Sequence, residues 1–147
     1  MSKTISVIGP NSALCTNDLL DFAFNLGVTL VDLDYTVING GMKGVMEAVF
    51  KGAHNSTNYA FGKTIGIIPS YERSDANEFC DIVIPTGMGY ARNILVVNSS
   101  DTIIALAGGA GTLSEIAFAW QLGKTIYTFD NFGGWSKELA DIEIDNR

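Results

Sequence analysis

Short apolar runs and stretches of helical periodicity alternate along this chain, and glycine-rich breaks separate them. Residues 4–8 (TISVI) are a β-rich apolar run ending at Gly9-Pro10, which reads as a buried strand. Thr16-Asn17-Asp18 has the form of a helix start. Leu19, Ala23, Leu26, Leu30 and Leu33 then recur three or four residues apart, as one face of a helix does. A second strand at 35–38 is cut off by Asn39-Gly40-Gly41, and helical spacing resumes over 45–51. Further strands are expected at 64–68, 82–84, 102–106 and 125–129. Helices are expected over 91–99 and from about 113 to 122, with a short helix or irregular tail from Ser136. The most charged stretch, 71–79 (YERSDANEF), reads as a solvated loop.

Strands that alternate with helices imply βαβ units, and near-continuous apolar strands imply a sheet covered on both faces. The expected fold is a Rossmann-like three-layer α/β/α sandwich with a mostly parallel sheet of about six strands. The length of 147 residues suits one domain spanning 1–147.

Composition narrows the function. Hydrophobic residues make up 47% and charged residues 17%, enough apolar material for a packed core. The net charge of -7 and the lack of any Lys/Arg cluster argue against nucleic acid as a partner. No stretch approaches the length of a membrane span, and the start MSKTISVIGP is not a secretory signal. Cys15 and Cys80 form no CxxC pair and suit a reducing compartment, so a cytoplasmic location is expected. One histidine, His54, with no cysteine cluster makes no case for a metal site.

Four strand-to-helix junctions are glycine-rich: IGPNSA (8–13), NGGMKG (39–44), PTGMGYAR (85–92) and AGGAGTLSE (107–115). In a parallel sheet all four lie on the carboxyl edge, where open α/β sheets bind ligands. Glycines let a ligand approach the backbone, and helix N-termini offer free N–H groups to an anion. The candidate phosphate or nucleotide contacts are therefore Gly9, Asn11, Ser12, Gly40, Gly41, Gly44, Thr86, Gly87, Gly108, Gly109, Gly111 and Thr112. Two readings of Glu115 stand side by side. Thr112-Leu113-Ser114-Glu115 fits a capping box, in which the carboxylate only turns back on its own helix. Alternatively Glu115 faces the ligand edge. Arg92 lies in the first turn of its helix, where the dipole disfavours a cation, so either an anion lies nearby or the side chain is simply solvated. The helices around 94–97 (ILVV) and 116–120 (IAFAW) lack a polar face, which either a subunit interface or the core would explain.

These motifs carry a resemblance. GGAGTLSE resembles the GGxGTxxE signature of the Lonely Guy (LOG) family, and GGMKGVMEA resembles its GGxxGxMEA. TGMGYARN, GGAGTLSEIAFAWQLGK and GGW are most similar to the branch containing molybdenum cofactor carrier proteins. The resemblance implies a Rossmann-like fold, a homodimer or larger homo-oligomer, and a site for a phosphorylated small molecule. For LOG enzymes it implies hydrolysis of the N-glycosidic bond of a nucleoside 5′-monophosphate, with Arg92 and Glu115 as the catalytic pair and no required cofactor. For the carrier branch it implies a bound molybdopterin cofactor and no defined reaction. The chain departs from the LOG pattern in having Ala107 in place of Pro and Asn93 in place of Lys after Arg92. Relatives also continue past GGW with another strand and helix.

Overall fold

The computed structural model describes residues 3–146. Six parallel strands form one sheet: β1 (Lys3–Ile8), β2 (Tyr35–Asn39), β3 (Thr64–Ile68), β4 (Ile82–Pro85), β5 (Thr102–Leu106) and β6 (Thr125–Phe129). Their order is β4-β3-β2-β1-β5-β6. Five α-helices accompany them: α1 (Asn17–Asp32), α2 (Val45–His54), α3 (Asn93–Asn98), α4 (Ala110–Gln121) and α5 (Gly134–Glu138). The expected Rossmann-like sandwich is the observed fold.

Chain direction explains the layers. From β1 to β3 the chain steps one way across the sheet, and from β5 to β6 it steps the other way. Right-handed crossovers then place the two sets of helices on opposite faces. One core cluster accordingly joins Leu19, Ala23, Val45 and Val49 to Val7 and Val37. The other joins Val96, Val97, Ile116 and Ala119 to Ile8, Ile38 and Ile103. The inner strands β1, β2 and β5 are buried on both sides and read as unbroken apolar runs, whereas the edge strands β4 and β6 alternate in exposure. No helix joins β3 to β4. The charged stretch between them is irregular apart from one 3-10 turn at Arg73–Asp75, as a solvated loop.

Three helices differ from expectation. In α1 the buried face is Leu19, Ala23, Gly27, Leu30 and Val31, while Leu33 lies beyond the helix end and is exposed. Gly27 is buried because α1 and α2 cross backbone to backbone: a Cβ there would lie 2.9 Å from the Ala53 nitrogen and closer still to the Val49 carbonyl. A hydrophobicity count passes over a glycine, so the true stripe was displaced. The helix expected over 91–99 divides into a 3-10 turn at Gly89–Arg92 and a short α3. Finally, α4 begins three residues earlier than expected, at Ala110. The apolar faces of α3 and α4 are largely explained within the chain, since Val96, Val97, Ile116 and Ala119 are all buried in its own core. Among the described residues, no helix is long and apolar enough to cross a membrane.

Candidate functional site

The sheet order reverses between β1 and β5, so the loops leaving them diverge to opposite faces and open a crevice at the carboxyl edge. After β5 the backbone turns sharply through left-handed conformations at Ala107 (φ 48°) and Gly108 (φ 99°) before α4 starts. This turn is gripped from behind by the GGW segment. The Trp135 N–H donates to the Gly108 carbonyl at 3.0 Å, and the Ser136 N–H donates to the Ala107 carbonyl at 3.0 Å. Gly134 (φ 64°) lies so close that a Cβ would sit 2.6 Å from Gly108 backbone atoms. Ser136, fully buried, also donates from Oγ to the Ala105 carbonyl at 2.8 Å.

The early start of α4 decides between the two readings of Glu115. Gly109 is the N-cap and has no side chain to cap with. Thr112 therefore lies inside the first turn and Glu115 a full turn further on, too far along for its carboxylate to reach back to the N-cap N–H. The capping box does not form. The first-turn N–H groups are left without a side-chain cap, the arrangement that suits an anion.

A cavity of about 520 Å³ occupies the crevice. Of the residues singled out in the sequence, it brings together Gly9, Asn11, Gly40, Arg92, Gly109, Gly111, Thr112 and Glu115. Gly108 shapes the loop behind it. Ser12 and Gly44 instead line a separate groove beside α1 and α2. Gly41 (φ 68°) packs against Ile68 and Gly66. Thr86 and Gly87 follow the edge strand β4, three strands from β1, and do not line the cavity. The Thr86 hydroxyl is spent locally, donating to the Ile68 carbonyl at 2.8 Å.

Glu115 and Arg92 are the only charged side chains among the described residues lining the cavity. Glu115 is buried, and among the described residues its carboxyl makes no hydrogen bond or close ion pair. Burial pushes its pKa up to about 8, and the positive charge of Arg92 only partly offsets this. Burial lowers the pKa of the Arg92 guanidinium, with Glu115 pulling it back upward. Arg92 Nη1 donates to Asn93 Oδ1 and Nη2 donates to the Gly40 carbonyl at 3.4 Å, while Nε is buried without a partner. A Cβ at Gly40 would collide with this guanidinium, so the second glycine-rich junction makes room for the arginine.

Sequence reasoning passed over several lining residues. Asn93 and Ser114 are hydrogen-bonded to each other across α3 and α4 at 3.1 Å. Leu14, Met46 and Tyr90 supply apolar wall, with Tyr90 almost fully exposed at the mouth. Asn93 and Ser114 were in plain view beside motif residues. Met46 and Tyr90 had no signal beyond the same proximity.

The chain is 32% identical over 139 residues to a cytokinin riboside 5′-monophosphate phosphoribohydrolase of Mycobacterium tuberculosis, covering 84% of this chain and 72% of that one. Among solved structures, a molybdenum cofactor binding protein from Rippkaea orientalis superposes with a TM-score of 0.78 at 37% identity, covering 86% of this chain and 75% of that one. The molybdenum cofactor carrier protein of Chlamydomonas reinhardtii superposes with a TM-score of 0.75 at 31% identity, covering 84% and 74%. The resemblance carried by the glycine motifs thus extends over most of the fold, on both the phosphoribohydrolase side and the carrier side. The SLOG cluster 4 family model matches residues 2–146, and the chain belongs to that family.

Proposed function

We propose that this protein hydrolyses the N-glycosidic bond of a nucleoside 5′-monophosphate, releasing the base and ribose 5-phosphate. The observation that carries the reading is Glu115: a buried carboxyl, unbonded and facing a cavity beside a guanidinium, with a pKa of about 8. Buried polar groups are normally hydrogen-bonded within the protein, so a carboxyl that faces the cavity without a protein partner is a candidate for function. The substrate phosphate binds at the uncapped first turn of α4, around Gly109, Gly111 and Thr112, where the backbone N–H groups and helix dipole favour an anion. This places the ribose toward Glu115, one turn further along the helix.

At neutral pH Glu115 starts with its proton. As the C1′–N bond breaks, the bonding electrons leave with the base, and Glu115 delivers its proton to that nitrogen. The carboxylate so formed lies beside the cationic ribosyl carbon, and Arg92 stabilises the new negative charge. Water then adds to C1′ and returns a proton to Glu115. One carboxyl thus serves in turn as acid, electrostatic stabiliser and base. The two-carboxylate arrangement of ordinary glycosidases is not needed if the base departs before water adds.

A second reading is a carrier for molybdopterin cofactor, whose phosphate would occupy the same helix N-terminus. The likeness to the Rippkaea and Chlamydomonas proteins favours it. A cavity of about 520 Å³ lies within the usual range for a small-molecule site. Liquid chromatography of a panel of nucleoside 5′-monophosphates incubated with the protein tests the first reading, with base and ribose 5-phosphate expected in equal amounts. Absence of release, together with a pterin phosphate detected by mass spectrometry on native protein, would replace it with the second. The site is also expected to work in a homodimer or larger assembly in the cytoplasm, and light scattering would detect the assembly.

A further inference from the structure

We propose that Asn93 is a positioning residue that ties the Arg92 guanidinium to the first turn of α4, so that the cation and the anion-binding loop are held as one unit. The inference rests on the phosphate-site reading above and assigns a role to a residue not among the candidate contacts read from the sequence.

Asn93 is 4% exposed, and its amide is used at both ends. Oδ1 accepts from Arg92 Nη1. Nδ2 donates to Ser114 Oγ at 3.1 Å, and Ser114 Oγ in turn donates to the Gly111 carbonyl at 2.6 Å. The relay therefore runs from the guanidinium, through α3, to the first turn of α4, which lines the cavity. Only one amide orientation permits it, because the flipped amide would aim its NH2 group at the guanidinium. Arg92 has little else to hold it. Its contact with the Gly40 carbonyl is long at 3.4 Å, and Nε has no partner. A long side chain held at one end by a single neighbour loses its orientation when that neighbour is removed.

The test uses the full chain, without ligand, carrying ¹³C-carboxyl-labelled glutamate. The Glu115 resonance is identified by its absence from Glu115→Gln. Arg92 is the only cationic side chain lining the cavity among the described residues, and Tyr90 is the only other titratable one besides Glu115. The Glu115 titration midpoint therefore reports where the guanidinium sits. Arg92→Ala is expected to raise that midpoint by about one pH unit or more. Asn93→Ala should raise it in the same direction, and should add nothing in the Arg92→Ala background. Ser114→Ala keeps Asn93 and breaks only the far end of the relay, so a smaller rise is expected. That variant also decides the matter if Asn93→Ala does not fold.

A midpoint that stays at the wild-type value in Asn93→Ala or in Ser114→Ala overturns the proposal. So does an Arg92→Ala variant that leaves it unmoved. Affinity for adenosine 5′-monophosphate, measured by calorimetry, separates this outcome from failure of the functional reading. A wild-type protein that neither binds nor cleaves the nucleotide, while Asn93→Ala still shifts the midpoint, would discard the function and leave the relay standing. Binding by wild type that falls about tenfold in both Asn93→Ala and Arg92→Ala supports both.

Discussion

Glu115→Gln should make this protein more stable at alkaline pH while removing its activity. In the folded chain burial holds the Glu115 pKa near 8 instead of its ordinary 4.5. In the unfolded chain the carboxyl loses its proton near the ordinary value. Between these two limits the native state binds more protons than the unfolded state, so stability falls as pH rises through the window and levels off above about 8. At 1.36 kcal/mol per unit, the whole window corresponds to a loss on the order of 5 kcal/mol. That is comparable to the entire stability of a marginal domain. Glutamine has nearly the same shape and no proton to lose, so the variant escapes the penalty. Urea unfolding at pH 5, 6, 7, 8 and 9 measures it. The wild-type and Glu115→Gln stabilities should draw apart steadily between pH 5 and 8, in favour of the variant, and run parallel beyond. Every other titrating group is common to both proteins and cancels in the difference. In the base-release assay the same variant should lose more than a hundredfold in rate, since donating a proton and stabilising a ribosyl cation together supply at least about 3 kcal/mol. Stability curves that stay parallel across the whole pH range would refute the burial argument. Full turnover in Glu115→Gln would refute the catalytic one.

Other expectations follow from the geometry. Gly109→Asp should fold, because a Cβ at Gly109 meets only Leu14 Cδ1 at an ordinary 3.5 Å. Aspartate in place of glycine at an N-cap should add a few tenths of a kcal/mol of stability, while its carboxylate occupies the anion position. Phosphate binding lost by calorimetry alongside a higher urea midpoint is the expected result, and unchanged affinity would remove the phosphate from this turn. Ala107→Pro should be severely destabilising, because proline fixes φ near −65° and Ala107 sits at 48°. Ala107→Gly should be neutral or stabilising by about 1 kcal/mol in the same melts. Gly27→Ala should cost at least about 2 kcal/mol, because its methyl group would be driven into the Val49 carbonyl at the α1–α2 crossing. A loss below 0.5 kcal/mol would mean that the two helices separate easily.

The alternation of apolar runs with helical periods was enough to place all six strands within a residue or two, and to give the fold class. Those signals are local: a strand buried on both faces must be apolar throughout, and a turn into a helix at a crowded edge needs glycine. That Arg92 and Glu115 line the same cavity was likewise legible, through the motifs that carry them. What the chain order could not convey is which glycine-rich junctions share a crevice. That depends on the sheet order, which reverses between β1 and β5 and leaves Thr86 and Gly87 three strands away. The start of α4 was misread for a related reason. Thr112-Leu113-Ser114-Glu115 satisfies a capping rule locally, but the GGW segment, some twenty residues further on, grips Ala107 and Gly108 and starts the helix at Ala110. The Asn93 relay has the same origin, because the bond from Asn93 to Ser114 joins residues on different helices. Local propensity and periodicity determined the elements. Long-range backbone contacts decided which side chains face the cavity, and burial among them raised the pKa of Glu115.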